Sequence, residues 1–457
     1  MTHAISMNPA NGKILQRYPF QSDAQLERTL ADNFAAFKQW RHVDLSQRAA
    51  VMSRMADVLR RMSEPLARMI TAEMGKPITQ ARAEVEKCAG LCQWYAEHGP
   101  ALLAPEATQV PDQKARIEYR PLGPVLAVMP WNFPLWQVLR GAVPVLLAGN
   151  GYLLKHAPNV MGSATLLHEA FAEAGLPQGL FGVLNVEPAG VSRAIADPRV
   201  AAVTVTGSVA AGSAIAAQAG AALKKCVLEL GGCDPFIVLA DANLDEAVNA
   251  ALLGRFQNTG QVCAAAKRLI VESSILPAFT ERFLAATRVL KAGDPQLADT
   301  YIGPMARHDL RDELDGQVQH SIAQGAQVLL GGHPLAGPGN YYAPTVLGNV
   351  QPGMTAFDQE LFGPAASIIE ARDAQHALEL ANDSEFGLSA TLWTDDAATI
   401  EYFTERLETG AIFVNGYSAS DVRVGFGGIK KSGFGRELSH FGLREFCNAQ
   451  TIWLDRR

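Results

Sequence analysis

Three segments, far apart along the chain, hold residue types that carry out covalent acyl chemistry when they are brought together. Gln257-Asn258-Thr259-Gly260-Gln261-Val262-Cys263 sets a cysteine at the end of a small polar turn, after a helical run over 243–256. A thiol in such a turn is open to substrate and to tuning by backbone N–H groups, whereas a thiol in an apolar core is inert. Taken alone, one such cysteine is structural more often than it is a nucleophile. Leu228-Glu229-Leu230-Gly231-Gly232 places a carboxylate in an apolar strand end, where an unpaired charge is costly. Glu229 reads either as a group satisfied by the following glycine amides or as a general base of raised pKa. Pro130-Trp131-Asn132-Phe133-Pro134 restrains Asn132 between two prolines. Its amide either caps the helix starting near Pro134 or donates to an oxyanion.

Signals for a cofactor are weaker. Thr206-Gly207-Ser208 follows an apolar strand and opens a helix of small residues, which is the arrangement of a phosphate site. The three-glycine dinucleotide fingerprint is missing. Lys155 ends a strand at the edge where open sheets bind ligands, although a lone lysine there is usually a solvated charge.

The elements that must position these groups follow from periodicity. Short apolar runs at 125–129, 152–154, 183–186, 200–206 and 226–230 alternate with helical patterns at 135–147, 162–174 and 208–219. Continuous apolar strands separated by helices predict a parallel sheet covered on both faces. A second series follows Gly231-Gly232, at 236–239, 267–271, 327–330 and 411–414, and residues 46–62 read as an amphipathic helix. The segments 115–120 and 451–454 alternate as half-exposed strands suited to edge pairing between subunits.

A chain of 457 residues with 48% hydrophobic and 19% charged content predicts two or three packed domains. The net charge of −7 argues against nucleic acid or an anionic membrane as partner. The six cysteines lack the paired C-x-x-C pattern of a zinc site, so no metal is expected. Cys88, Cys92 and Cys447 read as small buried hydrophobes. No signal peptide or membrane span is visible at the start, which predicts a reducing cytoplasm.

Seven motifs stand in the order seen in aldehyde dehydrogenases, and the chain resembles that family over essentially its whole length. They are Pro130 to Pro134, Lys155, Thr206-Gly207-Ser208, Glu229-Leu230-Gly231-Gly232, Gly260-Gln261-Val262-Cys263, Glu360-Leu361-Phe362-Gly363-Pro364 and Phe426-Gly427-Gly428. The resemblance implies an α/β fold: a Rossmann-like NAD(P)-binding domain (1–105 and 122–231), an α/β catalytic domain (232–431) and small β oligomerisation strands (106–121 and 447–457). It implies that Cys263 attacks the aldehyde, with Asn132 and the Cys263 N–H holding the oxyanion. Hydride then passes to the nicotinamide and Glu229 activates water to release the acid. Lys155 and Glu360 would bind the cofactor riboses, Phe362 would pack by the nicotinamide, and Gly207 and Ser208 would meet the pyrophosphate. Trp131, His156, Ala157, Pro158 and Leu230 would line the rest of the groove.

Finer details resemble the succinate-semialdehyde branch of the family. Arg140, eight residues after Asn132, matches an arginine that holds the substrate carboxylate there, and Ser420 matches a serine that assists it. Trp136 would line the same tunnel. The resemblance therefore implies oxidation of succinate semialdehyde to succinate, the alternative being a broader enzyme for short semialdehydes such as glutarate semialdehyde. Three departures stand out. A second arginine found six residues before the nucleophile in some relatives is Gln257 here, a neighbouring cysteine used as a redox switch is Ala265, and a common proline is Gly425. Glutamate three residues after the lysine, which excludes NADP in NAD-strict relatives, is Pro158, so NAD or NADP is expected. A homodimer or homotetramer is implied. Glu229 speaks against a coenzyme A-acylating enzyme, and the presence of all three catalytic residues speaks against a silent binding protein.

Overall fold

The structure, a computed structural model, describes residues 2–455. Its first sheet has the order Gly433–Phe434, Lys225–Glu229, Ala202–Thr206, Val125–Met129, Tyr152–His156, Phe181–Val183. All neighbours are parallel except Gly433–Phe434, which runs antiparallel to Lys225–Glu229. The chain builds outward from Val125–Met129 through Tyr152–His156 to Phe181–Val183, then returns to the other side of Val125–Met129 with Ala202–Thr206. The order reverses between those two strands, and a crevice at such a reversal, beyond the carboxyl ends, is where open α/β sheets bind ligands.

The expected strand and helix over 125–129 and 135–147 lie at Val125–Met129 and Trp136–Leu147. Every residue of that helix is buried, because it is wedged among the sheet, the long helix Ile78–Leu102 and the core helix Leu45–Arg61. An all-round apolar sequence suits such a place. The strand expected over 183–186 is shifted to Phe181–Val183, since the Val186 end runs on toward the helix Pro188–Ala196.

The second sheet has the order Gln327–Leu330, Thr345–Gly348, Ala365–Ala371, Arg268–Glu272, Pro235–Val238, Ser389–Trp393, Ala411–Val414. Gln327–Leu330 is its antiparallel edge. Three of these strands, Thr345–Gly348, Ala365–Ala371 and Ser389–Trp393, are additions to the sequence reading. A third sheet pairs Cys447–Trp453 with Ala115–Pro121 over seven residues, from Cys447 opposite Pro121 to Trp453 opposite Ala115, with Glu106–Ala107 on the far side. The two segments expected to pair across subunits are thus hydrogen-bonded to each other within one chain. Residues 456 and 457 of that expectation lie outside the described residues.

Candidate active site

Cys263 follows a tight turn, Gln257–Gly260, that closes the helix Leu244–Phe256. Asn258, Thr259 and Gly260 all take left-handed backbone, with φ of 53°, 56° and 72°. Two consecutive non-glycine residues in that region are strained and persist only where the surroundings hold them. Those holds are explicit. Gln80 accepts from the Asn258 N–H at 2.7 Å, Thr259 accepts from the Gly303 N–H at 3.0 Å, and Gln261 accepts from the Ala306 N–H at 2.9 Å. Arg255 is fully buried and spends its guanidinium on the carbonyls of Gly260, Leu361, Gly363 and Ala365. One side chain thereby ties the cysteine turn to the Glu360-to-Phe362 segment.

Asn132 meets this turn directly. Its amide donates to the Gln261 carbonyl at 3.1 Å, while Asn258 donates back to the Asn132 carbonyl at 2.8 Å. The helix starting at Trp136 is capped instead by Glu84, which accepts from the N–H groups of Leu135 and Trp136 at 2.9 and 3.0 Å. Asn132 is therefore free of capping duty. Glu84 is itself paired with the buried Lys76, whose ammonium lies 3.7 Å from the Phe133 ring centre.

Glu229 ends the strand Lys225–Glu229, 2% exposed, with neither carboxyl oxygen hydrogen-bonded among the described residues. Burial drives its pKa well above the carboxylate range, against the pull of Arg140. Burial likewise pushes the Cys263 thiol up to about 11, with Arg140 and then Lys267 acting in the opposite direction. A cavity of about 530 Å³ takes in Cys263, Glu229 and Asn132 together with Trp131, Gly207, Ser208, Leu230, Glu360 and Phe362. Three residues separated by up to 131 positions therefore share one chamber.

The chain matches the model of the aldehyde dehydrogenase family over residues 2–452. It is 64% identical, over 100% of its length and 98% of the relative's, to a succinate semialdehyde dehydrogenase [NAD(P)+] of Escherichia coli (strain K12). It is 46% identical, over 98% of its length and 96% of the relative's, to a succinate-semialdehyde dehydrogenase [NADP(+)] of Mycolicibacterium paratuberculosis. This chain belongs to the aldehyde dehydrogenase family. The succinic semialdehyde dehydrogenase of Streptococcus pyogenes, solved with NADP+, superposes with a TM-score of 0.96 at 34% identity, covering 99% of both chains.

A nicotinamide dinucleotide, the cofactor of aldehyde dehydrogenases, fits the residues that surround the cavity. Ser208 caps the helix Val209–Ala221, accepting from the Ala211 N–H at 3.3 Å, so the helix start opens on the cavity at Gly207 and Ser208. A Cβ on Gly207 would meet nothing within 4 Å, which leaves room for a close backbone approach. Glu360 stands where it accepts from Lys267 at 2.9 Å and from the Gly232 N–H at 3.2 Å. Phe362 lies edge-on to Trp131 with ring centres 5.7 Å apart. From the second sheet's side, Arg307 and the face Leu310, Glu313, Leu314 and Gln317 of the helix His308–Ala323 form the opposite wall.

Other expected residues sit differently. Lys155 is half-buried at the end of its strand, its pKa lowered by burial, and Ala157 and Pro158 follow with Pro158 exposed. His156 is turned into the protein. It is 1% exposed and pushed down to about 4 by burial, its Nδ1 accepting from the Ala157 N–H at 3.0 Å and its Nε2 lying 3.0 Å from the Pro134 carbonyl. The neutral ring braces the Asn132 segment and does not line the cavity.

Arg140 also departs from expectation. Its guanidinium is ion-paired with Glu437, reaches Thr206 at 3.3 Å, and is 2% exposed. Against the penalty of burial, Glu437 and Glu229 hold it charged. It therefore stands at the floor of the site beside the base, outside the cavity lining, because Glu437 has claimed it. Trp136 is buried at the start of its helix and Ser420 is half-buried in a loop. Sequence reasoning missed Glu437, Lys267 and Gln137. The signal available for Lys267 was its place four residues after the cysteine, at the head of an apolar strand.

Proposed function

We propose that this chain oxidises succinate semialdehyde to succinate with NAD or NADP. The observation that carries the reading is the shared chamber of Cys263, Asn132 and Glu229, in a chain 64% identical to the E. coli enzyme. When bound, the dinucleotide would be held by Gly207, Ser208, Glu360, Phe362 and Lys155, and it supplies the hydride acceptor. Cys263 adds to the aldehyde carbon, forming the C–S bond while the thiol proton is given up. The Asn132 amide, with the N–H of Cys263, takes the developing oxyanion and lowers the barrier. Loss of hydride from that carbon leaves an acyl thioester on Cys263. Glu229, once ionised, removes a proton from water, which attacks the thioester and frees the acid and the thiol.

We assign residues 1–105 and 122–231 to cofactor binding, 232–431 to the catalytic half, and 106–121 with 447–457 to assembly into a homodimer or homotetramer in the cytoplasm. Among the described residues no helix is long and apolar enough to cross a membrane. The second reading, a broader semialdehyde dehydrogenase, is favoured by Gln257, which leaves one fewer arginine for the carboxylate. Steady-state kinetics with succinate semialdehyde, glutarate semialdehyde and butanal, each with NAD and NADP and without coenzyme A, decides the matter. The expected order of kcat/KM is succinate semialdehyde first and butanal last. Equal values for the three overturn the assignment, and no acid without coenzyme A overturns the hydrolytic mechanism.

A further inference from the structure

Hydrolysis of the thioester, on the reading above, needs a water molecule held by more than its base, and this inference rests on that reading. Glu229 takes one of the water's protons. A second group must fix the other O–H if the oxygen lone pair is to face the acyl carbon. The charged side chains nearest the chemistry are already engaged. Arg140 is paired with Glu437, and Lys267 holds Glu360 together with the carbonyls of Val262 and Cys263.

Gln137 is different. It lies on the helix Trp136–Leu147, an apolar segment whose polar residues are Gln137 and Arg140. Of that helix, Gln137 is the residue on the wall of the chamber that holds Cys263, Asn132 and Glu229. It is 2% exposed, and its amide oxygen has no hydrogen-bond partner among the described residues. An unpaired buried amide oxygen is costly, so a group left in that condition has a task outside the fold. Arg140 follows one turn later on the same side of the helix, and its charge acts on both Glu229 and Cys263. Gln137 therefore faces the same pair. Neither oxygen of Glu229 has a partner either. The Asn132 amide oxygen shares this condition, but that side chain is committed to the Gln261 carbonyl and, on the reading above, to the oxyanion. An unpartnered amide oxygen and an unpartnered carboxylate on one chamber suit a small ligand with two O–H donors, and water is that ligand.

We propose that Gln137 holds the hydrolytic water with Glu229, its amide oxygen accepting from one O–H while Glu229 removes the proton of the other. The water oxygen then bonds to the acyl carbon, and the carbonyl electron pair moves onto the oxygen held by Asn132. Collapse of that adduct breaks the C–S bond. The sulfur leaves as thiolate, the acid is released, and the proton stays on Glu229 until it passes to the thiolate or to solvent. No further oxidant enters, since the hydride has already gone to the dinucleotide. Gln137 acts on this half of the cycle alone, because attack of the thiol on the aldehyde uses no water.

The test compares the wild type with Gln137→Met and Gln137→Leu, which keep an apolar chain of similar size and remove the amide. Rapid mixing with NAD and succinate semialdehyde gives the rate of the first cofactor reduction. Acid quench with intact-mass detection gives the decay of the acyl-enzyme. In both variants reduction keeps its rate while acyl-enzyme decay slows about tenfold or more. Hydroxylamine, a stronger nucleophile than water, restores release of the acyl group. Thermal melts of both variants establish that they fold. Decay at the wild-type rate, or reduction slowed as much as decay, overturns the inference and leaves the functional reading standing. A wild type that releases no acid without coenzyme A takes down the functional reading and the inference together.

Discussion

Arg140 and Glu437 are ion-paired next to Glu229, and all three side chains are almost wholly buried. The arrangement places one cation between two carboxyl groups, so its charge is spent inside the protein. Removing it as Arg140→Leu leaves Glu437 buried without a partner, a change that typically costs about 3–5 kcal/mol. The melting temperature should fall, and Glu229 should become still harder to ionise. Turnover of succinate semialdehyde and of butanal should drop by similar factors. A loss confined to the acidic aldehyde would return Arg140 to the substrate carboxylate.

Burial raises the pKa of Glu229 above the ordinary carboxylate value, against the pull of Arg140. The base form therefore grows as pH rises through that raised pKa, and thioester hydrolysis should accelerate with it. In Glu229→Gln, that slope should vanish and steady-state turnover should fall by roughly 10²–10⁴-fold. Rapid mixing should still show a burst of reduced cofactor, since acylation does not need this group. The pH slope of the wild type, compared with a flat profile in Glu229→Gln, is the measurement that checks the assignment.

Gly260 is the residue the nucleophile turn cannot exchange. Its φ is +72°, and an added Cβ would overlap the Gly363 carbonyl that Arg255 also grips. Gly260→Ala should lose activity and lower the melting temperature together, whereas Gly207→Ala, with open space at its Cβ, should keep the melt and weaken cofactor binding alone. Calorimetry alongside cofactor titration separates the two outcomes.

Pro158 opens a short helical turn after Lys155 and is exposed. No carboxylate stands there to repel a 2′-phosphate. Pro158→Glu should cut kcat/KM with NADP by about tenfold or more while sparing NAD, as expected for a charge repulsion of roughly 1.4 kcal/mol. Parallel assays with both dinucleotides test it, and an equal effect on the two would remove residue 158 from the cofactor site.

Much of this architecture could be read from the chain. Val125–Met129 and Trp136–Leu147 were legible because continuous apolar runs of those lengths have few other places to go. Ser389–Trp393 and Thr345–Gly348 were not, since serine, threonine and glycine dilute the apolar signal and only burial between neighbours makes them strands. The charged sequence of His308–Ala323 gives no hint that one of its faces walls the cavity. Within the site, Cys263, Glu229 and Asn132 each sit in a distinctive local setting. Glu437 does not, because what matters about it is the arginine it pairs with, hundreds of residues away in the chain. Arg140 shows the limit most clearly: its position on the helix was right to notice, but its partner decides what it faces.

Lys267 touches the carbonyls of Val262 and Cys263 at one end of its reach and Glu360 at the other. A single ammonium thus joins the frame of the sulfur to the acid proposed to meet the cofactor. A change at Glu360 therefore reaches the backbone that carries the thiol through one side chain. A substitution at Glu360 is therefore expected to disturb the nucleophile's frame as well as its own surroundings.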